Sequence, residues 1–137
     1  MTKQFIYNFL TRHKYAVLST VTKDNLPECA LIGFAVTHDL KIIFDTSRST
    51  RKYQNLIKNP ATAIVIGWDK ERTVQYEGKA TIPTANALDE LFDVYLKVFP
   101  DGQERRKLKD TVYFCVEPTW LRYSDFNTSG SIEEISF

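Results

Sequence analysis

The sequence predicts a mainly β fold, an antiparallel barrel of six to seven strands with helices at its periphery. Three observations carry this. Short runs rich in β-branched and aromatic residues recur along most of the 137-residue chain. Turn chemistry separates them, as in "TKDNLP" at 22–27 and "HD" at 38–39. Only three segments carry the apolar spacing of an amphipathic helix. A chain of this length is expected to form a single domain over 1–137.

The elements follow in order. Phe5, Ile6, Phe9 and Leu10 recur at helical spacing within 3–13. Residues 15–22, 28–37 and 40–46 read as strands of one antiparallel meander. Residues 50–58 form a helix with Tyr53, Leu56 and Ile57 on its apolar face, and Asn59-Pro60 ends it. "ATAIVIGW" at 61–68 is a buried strand. Residues 72–82 alternate, with Val74, Tyr76, Ala80 and Ile82 on one side. Thr84 is placed to cap a helix over 85–98, whose face carries Leu88, Leu91, Phe92, Tyr95 and Val98. After the turn "FPDGQ", two strands are expected at 111–118 and 119–126, with an extended surface tail over 127–137.

Composition narrows the function classes. The formal net charge is +1 and the pI about 7.7, without the strongly basic balance of a general nucleic-acid binder. The run "ERRKLK" at 104–109 is expected to be a solvated helical turn rather than an RNA patch. No apolar run has the length of a membrane span. The first residues lack the apolar core of a secretory signal. Cys29 and Cys115 lie in apolar runs with no C-x-x-C, so buried, reduced thiols and a cytoplasmic location are expected. His13 and His38 are expected at the surface, with no metal-ligand spacing around them.

The chemistry concentrates in "FDTSRSTRKYQNL" at 44–56. A strand gives way there to a helix, with Ser49 as N-cap and Thr50, Arg51 and Lys52 in the first turn. Free backbone N–H groups and the helix dipole favour an anion at such a point. Arg51 adds a planar fork and Lys52 a compact charge. Thr46, Ser49 and Thr50 add hydroxyls, so the cluster suits a phosphate. The same residue types also cap and solvate ordinary helices.

"IIFDTSRSTRKYQNLIKNPATAIVI" at 42–66 resembles the strand–helix–strand stretch of the pyridoxamine 5′-phosphate oxidase-like FMN-binding split barrels. "YAVLSTVTKDNLPECALIGFAV" at 15–36 is similar to that family's first hairpin. "RTVQYEGKATI" at 72–82 and "VEPTWLRYSDF" at 116–126 resemble two later strands, so the likeness covers most of 5–126. It implies a split barrel that forms a homodimer and holds FMN between subunits. Thr46, Thr50, Arg51 and Lys52 would then hold the phosphate. The backbone of Leu31, Ile32 and Gly33 would run beside the isoalloxazine ring. Thr73 or Gln75 would touch the flavin edge, and Trp120 with Arg122 would approach from the partner chain. Ala30 stands where the family's oxidase has an arginine, Asp45 adds a negative charge nearby, and the oxidase's C-terminal Arg/His cluster is missing. The implied function is an FMN-dependent oxidoreductase acting on a small-molecule redox substrate. The alternative is a non-catalytic flavin- or haem-binding sensor barrel, with F420 or haem as the other cofactors. Neither nucleic acid nor membrane is an expected partner.

Overall fold

The computed structural model describes residues 1–127 and 130–137. Its elements are α1 (Lys3–Leu10), β1 (Tyr15–Val21), β2 (Pro27–Gly33), β3 (Ala35–Val36), β4 (Ile42–Ser47), α2 (Arg51–Lys58), β5 (Ala61–Ile66), β6 (Arg72–Thr81), α3 (Ala85–Val98), α4 (Gly102–Arg106), β7 (Thr111–Asp125) and β8 (Ser131–Ser136). The strands pair antiparallel in the order β2-β1-β5-β6-β7-β4-β3, and β8 adds to β7. This is the expected mainly β split barrel.

Alternation decides which way the sheet faces. β5 and β6 bury every second side chain, among them Ile64, Ile66, Val74 and Tyr76. Those residues meet Leu18, Phe44, Leu56, Phe114 and Leu121 inside the barrel, and α1 contributes Ile6, Phe9 and Leu10. A second apolar cluster joins α3 to β3, β4 and β7 through Phe92, Tyr95, Phe99, Ile43 and Tyr113. The Tyr76 hydroxyl is buried and reaches the carbonyls of Leu40 (2.7 Å) and Val116 (3.1 Å). It thereby ties β6 to the turn where Leu40 adopts a φ of +68°.

Several expectations need correction. The strand over 28–37 breaks at Phe34, whose amide donates to the Lys14 carbonyl. Phe34, Ala35 and Val36 are buried in succession, which no single strand face allows, and β3 joins β4 at the far edge of the sheet. The three-strand meander is therefore two separate antiparallel hairpins, β1–β2 and β3–β4. The two strands expected at 111–118 and 119–126 are one, β7. Thr119 is the extra residue of a bulge: Glu77 faces Trp120 while Gly78 faces Pro118. Pro118 is tolerated because it sits at that bulge. The tail is extended and exposed over 131–136, as expected, and it adds to the sheet as β8; residues 128 and 129 of that expectation lie outside the described residues. Cys29 is exposed rather than buried, while Cys115 is buried and its thiol pKa is raised by that burial. Tyr123 packs on Phe5 and Phe9 in the core. His38 is exposed and stacks on Tyr7, whereas His13 is half-buried with Nδ1 at 2.9 Å from the Phe9 carbonyl. No helix among the described residues is long and apolar enough to cross a membrane.

Candidate functional site

β4 ends at Ser47, a short turn follows, and α2 begins at Arg51. The N-cap is Thr50, one residue later than the sequence suggests, because its Oγ1 is the atom that accepts the Tyr53 amide (3.3 Å). The same hydroxyl donates to the Ser47 carbonyl at 2.9 Å. A hydroxyl has one proton, so Thr46 is the donor in its 2.8 Å contact with Thr50. Ser49 is exposed, with Oγ 3.0 Å from Ser47 Oγ.

The two cations of the first turn differ. Arg51 has a side chain 75% exposed, yet its Nη1 lies 2.7 Å from Glu28 Oε2. Glu28 comes from β2 and is itself 19% exposed. Its other oxygen accepts from Asn55 Nδ2 at 2.8 Å, and buried Asn55 also donates to Thr20 at 3.0 Å. Lys52 is half-buried and forms no ion pair among the described residues. Burial lowers its pKa, and the charge of Asp45 partly opposes that shift. A cleft of about 90 Å³ opens between Thr20, Glu28, Ala30, Arg51 and Lys52.

Asp45 is not a free negative charge. Arg105 Nε donates to it at 2.7 Å, and the same guanidinium reaches Asp101 (2.6 Å) and the Tyr95 hydroxyl (3.1 Å). The "ERRKLK" run is therefore not uniformly solvated: Arg105 is clamped between α3, α4 and β4. Its hydrogen bond to Asp45 raises its pKa, and burial raises that of Tyr95.

A second group lies on the outward face of the sheet. Strand register aligns Leu31, Val17, Val65, Gln75, Arg122 and Glu134 in one row across β2, β1, β5, β6, β7 and β8. The adjacent row is Cys29, Ser19, Ala63, Glu77, Trp120 and Ser136. The rows are apolar or small at the β2 end, where Leu31 is 62% exposed, and polar at the β8 end. Arg122 donates from Nε to Glu134 at 2.9 Å and lies 5.4 Å over the Trp120 ring. Trp120 Nε1 donates to the same carboxylate at 3.3 Å. These bonds, the Arg122 one foremost, lower the Glu134 pKa. Shallow clefts of about 320 Å³ beside Ala63 and Gly78 and about 190 Å³ beside Val17 and Gln75 follow these rows. Cys29 borders both the second of these and the cation cleft, so the two regions meet at edge strand β2.

The structure thus gathers Thr46, Thr50, Arg51 and Lys52 at one junction and Leu31, Gln75, Trp120 and Arg122 on one face. Thr73 flanks that face, with its hydroxyl 3.5 Å from the Ile66 carbonyl. The Ile32 side chain is buried in the core, and Gly33 lies against the Phe99 ring, which would stand 2.5 Å from an added Cβ. Sequence reasoning missed Glu28, Asn55, Cys29 and Glu134. The period of two in "PECALIG" was the signal: it sends Glu28, Ala30 and Ile32 to one face and Cys29 and Leu31 to the other.

A family model described as pyridoxamine 5′-phosphate oxidase matches residues 2–125. General stress protein 26 of Bacillus subtilis is 32% identical over 126 residues, which are 88% of this chain and 86% of that protein. The pyridoxine/pyridoxamine 5′-phosphate oxidase of Ehrlichia chaffeensis is 29% identical over 77 residues, 56% of this chain and 39% of that enzyme. A heme binding protein from Mycobacterium smegmatis shares the fold with a TM-score of 0.84 at 14% identity, over 99% of this chain and 58% of the other. A pyridoxamine 5′-phosphate oxidase-related, FMN binding protein from Nostoc punctiforme does so with a TM-score of 0.71 at 11% identity, over 97% and 95%. This chain therefore spans less than two thirds of the E. chaffeensis and M. smegmatis proteins. With the fold shared and the family model matching nearly from end to end, the chain belongs to the pyridoxamine 5′-phosphate oxidase family.

Proposed function

We propose that this chain binds FMN and works as a flavin-dependent oxidoreductase on a small-molecule substrate, as a cytoplasmic homodimer. The observation that carries the reading is the pair Arg51 and Lys52 on the first turn of α2, beside a cleft that adjoins the apolar β2 end of the outward face. The donor set fits a phosphate monoester: a planar guanidinium, a compact ammonium and the free N–H groups of a helix start. Thr46 and Thr50 hold that turn in shape through their shared hydroxyl contact. Val17, Ala63 and Leu31 offer a surface against which a planar ring can lie, and Gln75 offers an amide for its polar edge. Bound FMN would supply the hydride or electron transfer, chemistry that requires no acid or base from the protein. An outward face covers only one side of a ring, so a second copy bringing Trp120 and Arg122 would complete the site. The family and the FMN-binding relative from N. punctiforme support the choice of cofactor.

A second reading is a non-catalytic flavin- or haem-binding barrel. It is favoured by the engagement of Arg51 with Glu28 and by Ala30, which supplies no cation. The fold likeness to a heme binding protein points the same way. The visible spectrum of freshly purified protein separates these, since oxidised FMN, F420 and haem absorb differently. The flavin reading expects FMN bands, together with turnover of a reduced nicotinamide and an electron acceptor. A haem spectrum, or flavin without turnover, would favour the second.

A further inference from the structure

Glu28 stands in an unusual place for a carboxylate. It projects from edge strand β2 toward the first turn of α2 and binds Arg51 at 2.7 Å across the cation cleft. It is not a loose surface side chain. One oxygen is fixed by Asn55 at 2.8 Å, and Asn55 is buried and fixed in turn by Thr20 at 3.0 Å. Two residues along the same face of β2 stands Ala30, which adds no charge. The cleft therefore carries two cations and one resident anion, held by a buried amide.

We propose that Glu28 is an internal competitor for the phosphate group: its carboxylate occupies Arg51 until a phosphate monoester displaces it. The inference rests on the phosphate-binding reading above and concerns how that site is loaded. In the free protein Arg51 is satisfied by Glu28. On loading, the guanidinium exchanges one carboxylate oxygen for phosphate oxygens. Arg51 is mostly exposed and on a helix start, so its long side chain can swing without disturbing the backbone. Glu28 cannot leave as easily, because Asn55 keeps it in place. Lys52, which has no ion-pair partner among the described residues, becomes the primary anchor, and Arg51 the contested one. The consequence is a lowered affinity for phosphorylated ligands, built into β2 rather than into the flavin-facing surface. Ligands without a phosphate gain nothing from removing Glu28.

The test uses the intact chain and compares wild type with Glu28→Gln, Arg51→Ala and the double variant. Glutamine keeps an oxygen to accept from Asn55 and removes only the charge, so the fold is retained. Two probes are titrated, FMN by flavin fluorescence and inorganic phosphate by thermal shift, with riboflavin as the phosphate-free control. The expected result is that Glu28→Gln tightens FMN on the order of 10-fold and enlarges the stabilisation by phosphate. Riboflavin binding should not change, and the gain should shrink in the Arg51→Ala background. Unchanged or weakened FMN binding in Glu28→Gln would overturn the proposal, because Glu28 would then be inert or a support for Arg51. If neither wild type nor variant takes up FMN, the flavin reading fails by itself, and the phosphate arm decides: greater stabilisation of Glu28→Gln upholds the competition, and equal stabilisation overturns it.

Discussion

The two cations at the start of α2 make different predictions. Arg51→Ala should weaken FMN binding about 10- to 100-fold, the worth of a hydrogen bond to a charged group. The loss should appear in a flavin titration with no change in the unfolding midpoint, since Arg51 is largely exposed. Arg106→Ala is the comparison. Arg106 bonds Asp89 at 2.7 Å and lies 4.5 Å over Phe92, so it clips α4 to α3 away from the cleft. Its loss should leave flavin affinity unchanged, and an effect as large as that of Arg51→Ala would place the site elsewhere. Lys52 adds a pH dependence. Its anion-binding form is the protonated one, present below its pKa and lost above it. Burial lowers that pKa, so FMN affinity should begin to fall at a less alkaline pH than an ordinary lysine would give. Lys52→Arg stays charged throughout, and in a pH series of dissociation constants it should remove this decline.

At the scale of the element, β7 holds the fold's least obvious decision. It runs through Pro118, and the bulge at Thr119 lets Gly78 pass against the opposite backbone. A Cβ at Gly78 would stand 2.3 Å from the Glu117 carbonyl oxygen, a backbone atom that cannot rotate away. Gly78→Ala should therefore cost about 1–3 kcal/mol, read as a lowered urea midpoint with unchanged slope. Pro118 is plain in the sequence but the bulge beside it is not, because a bulge depends on the partner strand and not on local pattern. The same limit applies to 28–37. Its apolar run suggests one strand, but after Phe34 the chain pairs at the opposite edge of the sheet as β3, a long-range pairing that no local pattern specifies. By contrast α3 and its Thr84 cap were legible, since helical spacing and capping are local. The Thr46–Lys52 cluster was legible for the same reason. Glu28 was not, because its partner lies on an element far along the chain, and only the β1–β2 hairpin and α2 together bring them within reach.

For the whole molecule, the proposed shared flavin site requires two copies. The outward rows from Leu31 to Arg122 form an open face, and a ligand of flavin size needs cover on both sides. Light scattering should give the mass of a dimer. Trp120→Ala, which removes an aromatic from the polar end of that face, should weaken flavin binding while leaving the dimer intact. A monomer that binds one FMN tightly would remove the shared site. The central claim is that the phosphate anchors the ligand at the β4–α2 junction, and paired titrations with FMN and riboflavin test it most directly. FMN should bind at least about 10-fold more tightly than riboflavin, the lower end of what one charged hydrogen bond contributes. Equal dissociation constants for the two would contradict it.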